Sequence, residues 1–80
     1  MIQQYDKQAN YSAMNPSESY ILNLTNGIII KGIFVRGIDG FYEIKDFTRS
    51  DSGNKKFPFS IYINTNYIFS FEADLVALVK

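Results

Sequence analysis

Apolar residues along this chain recur mostly at every second position. Tyr20, Leu22 and Leu24 alternate with more polar neighbours, the pattern of a strand buried on one face. Asn26-Gly27 follows, a dipeptide suited to the positive-φ positions of a type I′ turn, so a hairpin is expected there. The second strand, from Ile28 to about Arg36, is apolar on both faces, with Ile28, Ile30 and Phe34 on one and Ile29, Ile33 and Val35 on the other. Gly32 interrupts it, and a strand glycine marks a sharp bend or a close backbone approach. Gly37, Asp39 and Gly40 form the next turn, and a third strand runs from Phe41 to Phe47 or Thr48. Residues 50–54 read as a polar loop, with Lys55 and Lys56 still in it and Arg49 on its other side. The fourth strand, Phe57 to Ile63, places Phe57, Phe59, Ile61 and Ile63 on one face. Its Pro58 cannot donate to a ladder and so belongs at an edge or near the strand start. Asn64-Thr65-Asn66 is a tight turn. Tyr67 to Phe71 gives a fifth strand, with Tyr67, Phe69 and Phe71 on one side.

The ends read differently. Residues 1–16 are polar, with Ile2, Tyr5, Ala9 and Ala13 at helical spacing, so a short N-terminal helix is expected, ended by Pro16. Residues 72–80 form a tail that suits either a helical turn or an extra strand. Five short antiparallel strands over residues 18–71 predict an all-β chain folded as one strongly bent, five-stranded small barrel within a single domain, 1–80.

Composition narrows what such a barrel can do. The 80 residues include no cysteine and no histidine, which removes disulfides, thiolate zinc sites, the commonest general base and every Ser-His or Cys-His dyad. Carboxylates such as Asp39, Glu43 and Asp46 are not paired by any motif, so no catalytic residue, metal site or cofactor is assigned. Eight basic and eight acidic side chains cancel, which argues against a generic polyanion binder. The balance is uneven, however: residues 31–56 carry six basic against four acidic side chains, including Lys31 and Arg36, which could line a basic path. The longest apolar stretches, 27–30 and 75–79, are far short of a membrane span, and no signal-peptide pattern opens the chain, so a cytoplasmic location is expected. The two N-x-S/T matches at Asn10 and Asn23 are read as chance.

Spacing inside the strand order resembles the Sm-like family, which includes the LSm proteins and bacterial Hfq. The first motif of that family reads here as Leu22-x-Leu24-x-Asn26-Gly27, then Ile30-x-Gly32-x-Phe34, then Asp39-Gly40-Phe41-Tyr42-Glu43-Ile44. The gap from Gly32 to Asp39 is one residue longer than usual. The second motif, apolar-Arg-Gly-x-x-apolar in LSm proteins and a Lys-His pair in Hfq, becomes Ile63-Asn64-Thr65-Asn66-Tyr67-Ile68. The small size and divergent second motif would suit a phage-encoded member, active in the host cytoplasm.

The resemblance implies a ring of five to seven copies that binds single-stranded RNA without catalysis. It places Phe41 at the base-stacking position, Glu43 where the family has a base-reading asparagine, and Asn64, followed by Thr65, where it has an arginine. Uridine preference therefore does not carry over. Asp39 is the family's turn aspartate, which braces the loop, and Asn26, Gly27 and Gly32 complete the structural turn set. Lys55 and Lys56 are further candidates for phosphate contact. Phe41 shares a strand face with Glu43, and Tyr42 shares the other with Ile44; Phe41 either presents a stacking platform or packs under the N-terminal helix or a neighbouring copy. Six tyrosines and seven phenylalanines exceed what one small barrel hides. Exposed edges of the fourth and fifth strands would pair with copies of themselves, with Tyr62, Ile68 and Phe69 as interface candidates. The alternative is a small β-barrel interaction or structural module that binds no nucleic acid.

Overall fold

A computed structural model describes residues 14–74; the expected N-terminal helix over 1–16 and the tail 72–80 fall largely outside the described residues. Five strands form: β1 (Ser19–Leu24), β2 (Ile29–Ile38), β3 (Phe41–Arg49), β4 (Lys55–Asn64) and β5 (Ile68–Ala73). They make one antiparallel sheet in the order β4-β3-β2-β1-β5. Short 3₁₀ turns at Ser50–Ser52 and Thr65–Tyr67 join the last three strands.

Alternation explains the inside of the barrel. Tyr20, Leu22, Ile30, Phe34, Tyr42, Ile44, Phe47, Ile63 and Ile68 are buried, and Met14 joins them from ahead of β1. Four rings close a cycle at the centre: Tyr20 on Phe34, Phe34 on Tyr42, Tyr42 on Phe71 and Phe71 on Tyr20. All four pairs are edge-to-face, with centroids between 5.5 and 6.3 Å apart. That is the arrangement ring quadrupoles favour.

The bend has a defined line across the sheet. At Gly32, a Cβ would meet Ile44 Cγ2 at 2.5 Å and Phe47 Cβ at 2.8 Å, so only a hydrogen fits where β2 crosses β3. Opposite Gly32, β3 carries an extra residue at Asp46, whose φ is 49°. On the far side of Asp46, β4 carries its own extra residue at Pro58-Phe59, as the pairing passes from Lys45–Ser60 to Phe47–Phe57. Stacked irregularities of this kind curl a sheet.

Several local expectations change. The β1–β2 connection is not a two-residue type I′ turn. Gly27 alone has positive φ (90°), the Leu24 N–H donates to the Ile28 carbonyl (2.9 Å), and the Asn26 side chain accepts from the Ile28 N–H (3.0 Å). This is a three-residue loop with glycine in its left-handed position. Asp39 (φ 50°) and Gly40 (φ 80°) are the pair with positive φ at both central positions, between the paired Ile38 and Phe41, and Gly37 lies inside β2 opposite Tyr42. Lys55 and Lys56 are in β4, not in a loop, because they pair with Arg49 and Thr48. Tyr67 belongs to a 3₁₀ turn, and β5 starts at Ile68.

Candidate nucleic-acid interface

Two turns meet at one end of the barrel. Register sets Phe41 opposite Asn64, and the Thr65 N–H donates to the Gly40 carbonyl at 2.9 Å, tying the β2–β3 turn to the β4–β5 connection. The Asn64 side-chain oxygen accepts from the Asn66 N–H (2.9 Å), which orients the side chain and leaves its NH₂ and one oxygen lone pair for a ligand. Phe41 is 38% exposed while its neighbour Tyr42 is 2% exposed, so the aromatic at this turn faces outward. Phe41, Asn64 and Thr65 are thus brought together, with Asp39 in the turn beneath them.

Glu43 does not complete that surface in the expected way. It shares the face of Phe41, but its side chain is only 10% exposed and lies 2.9 Å from Arg36 Nε. The contact is one of charge, without the alignment of a hydrogen bond. A carboxylate so placed is paired in charge with its own chain, and its buried Oε1 accepts no hydrogen bond. Lys56 also stands apart, while Lys55 is exposed opposite Arg49. Lys56 is separated from Asn64 along β4 by roughly 26 Å of extended strand, beyond the bend, where it lines a shallow groove with Lys31, Thr48, Asp46 and Asp74. Arg49, at the end of β3, is held by Asp51 through two contacts of 2.9 and 2.7 Å. The hydrogen bond from Arg49 holds the Asp51 carboxyl below its ordinary value. Arg36, expected only to line a basic path with Lys31, is instead paired with Glu43, a partner that the sequence does not reveal because it depends on which residue of β3 lies opposite.

The sheet edges form the second part of the site. Among the described residues β4 pairs only with β3, and β5 only with β1. The Thr65-to-Gly40 bond is the kind that flanks a non-hydrogen-bonded pair, here Phe41–Asn64. Alternation then turns the peptide groups of Ser60 and Tyr62 away from β3. The Asp74 N–H donates likewise to the Ser19 carbonyl (3.0 Å), which makes Tyr20–Ala73 such a pair and turns Phe71 and Ala73 outward from β5. Tyr62 is 58% exposed and Phe69 79% exposed. Ile68, the third interface candidate, is corrected: it is buried in the chain's own core. A register shift in β5 opposite Asn23 and Leu24 extrudes Phe69 and lets both Ile68 and Phe71 turn inward.

No helix among the described residues is long and apolar enough to cross a membrane. No family model and no curated protein matches the chain. Among solved structures it is similar to a novel Sm-like archaeal protein from Pyrobaculum aerophilum, with a TM-score of 0.65 and 17% identity. The match covers 81% of this chain and 48% of that one, so the chain spans about half the length of that neighbour. Architecture is what the two share: the fold is Sm-like, an all-β bent sheet of five antiparallel strands.

Proposed function

We propose that copies of this chain pair edge to edge, β4 of one against β5 of the next, into a closed ring of five to seven copies. The ring binds single-stranded RNA by stacking a base on Phe41, with no catalytic step. One observation carries the RNA reading: Phe41 is held outward by a turn locked to Asn64-Thr65, while Tyr42 and Ile44 supply the core. An aromatic presented on a rigid turn is a stacking platform for any base. Asn64 and Thr65 flank it as polar contacts. Repetition around a ring adds avidity without any new contact, which suits a neutral chain whose phosphate attraction is weak.

The test is a fluorescence titration with U-rich, A-rich and mixed RNA oligonucleotides at two salt concentrations. Phe41→Ala should weaken binding by about 1–3 kcal/mol per stacked base. Binding unchanged in Phe41→Ala would remove the site. A second reading, a protein-interaction or structural module, is favoured by exposed aromatics away from Phe41, Phe59 and Phe69 among them. No RNA binding at low salt would select it.

A further inference from the structure

One constellation on the outer face of the sheet is left unused by the stacking reading. Arg36 lies opposite Glu43, Glu43 lies opposite Tyr62, and one step nearer the turn Ile38 lies opposite Phe41. Residues directly opposite share a face with Cβ atoms about 4.5–5.5 Å apart, and diagonal neighbours stand about 7–8 Å apart. Arg36 and Phe41 are therefore diagonal neighbours around Glu43, and Tyr62 closes the third side. The Glu43 side chain is 10% exposed and that of Arg36 59% exposed. Burying a carboxylate is costly unless a cation accompanies it, so Glu43 fixes where the guanidinium sits. The contact uses Nε at 2.9 Å and does not consume the two Nη groups.

We propose that Arg36, positioned by Glu43, is the phosphodiester contact of the Phe41 site, and that Glu43 itself touches no RNA. This rests on the single-stranded RNA reading above. A guanidinium is a planar fork of donors matched to phosphate oxygens, and its partner carboxylate removes much of its orientational freedom. A base stacked on Phe41 brings its own backbone over the diagonal neighbour. The carboxylate does not repel that backbone, because its charge is buried behind the cation. Lys31 and Lys56 line a separate groove, with Asp46 and Asp74.

The experiment titrates short single-stranded RNA into the full chain, in whatever assembly it forms, across a salt series. Wild type is compared with Phe41→Ala, with Arg36→Lys, and with the double variant Arg36→Gln/Glu43→Gln. The double variant removes both charges and leaves no buried carboxylate unpaired, and circular dichroism checks that it folds. It should bind about tenfold more weakly at low salt, the order expected for one charged hydrogen-bonding contact. Its slope of log affinity against log salt should shrink by about 0.7 for each occupied site. Arg36→Lys keeps the slope but loses affinity through the missing fork, and Phe41→Ala loses affinity at an unchanged slope. A DNA oligonucleotide of the same sequence should show the same loss of slope, because the contact is to phosphodiester. A folded double variant with the wild-type slope overturns the assignment, whatever its affinity. Absence of RNA binding by the wild type at low salt is a separate result, and it overturns the stacking reading on which this one rests.

Discussion

At the scale of single residues, Gly32 is the position with least freedom. A methyl group there would overlap Ile44 and Phe47, both almost wholly buried, and would also reach the Lys45 carbonyl at 3.0 Å. None of these is the loose end of a flexible side chain. Gly32→Ala should therefore destabilise by about 1–3 kcal/mol, the usual cost of overpacking, read as a lower midpoint in urea. A midpoint equal to wild type would mean that β2 can move off β3 at no cost. Asp51 makes a smaller, opposite point. Its folded carboxyl value is depressed, so the stability it lends is present above the ordinary value and is lost as pH falls through the depressed one. Because the pair is exposed, Asp51→Asn should leave the urea midpoint at neutral pH nearly unchanged. A large drop would show that Arg49 braces the β3–β4 connection. Gly32 was legible as a bend in the sequence because a strand glycine has few other uses. Asp46 was not, since nothing in Lys45-Asp46-Phe47 announces a positive φ or an extra residue. The face of Glu43 was readable from alternation. Its burial was not, because that depends on which residue of β2 lies opposite.

Among elements, the strands followed from period-two patterning, whereas their connections followed less well. Asn26-Gly27 and Asp39-Gly40 carry similar turn chemistry, yet only the second takes positive φ at both central residues. Asn26 instead uses its side chain to accept the Ile28 N–H. The β5 register shift also left no trace in the pattern: Tyr67, Phe69 and Phe71 alternate as a regular strand would, but the extruded Phe69 breaks that alternation. The edges permit a test at this scale. The Tyr62 peptide group faces away from β3, so Tyr62→Pro removes a donor that the ladder among the described residues does not use. Tyr62→Pro should keep the far-ultraviolet spectrum of a folded barrel and lose self-association. Ile63→Pro, which removes a donor aimed at β3, should unfold the chain. If Tyr62→Pro still assembles, the β4 edge is not the joint.

For the whole molecule, small size and the edge left unpaired on each side among the described residues belong together. A chain of 80 residues buries a modest share of its surface, and here exposed aromatics stand on or beside both edge strands, β4 and β5. Pairing β4 with β5 of the next copy satisfies the backbone of both edges, and head-to-tail contacts of this kind close when the rotation allows. In the proposed ring the overall neutrality would say little about function, because each copy would present the same outward turn, with Phe41 and Arg36 as diagonal neighbours. The most direct measurement is the mass of the native protein at micromolar concentration, by native mass spectrometry. A single closed species of five to seven copies of the 9.2 kDa chain is the result expected; a stable 9.2 kDa monomer would contradict it.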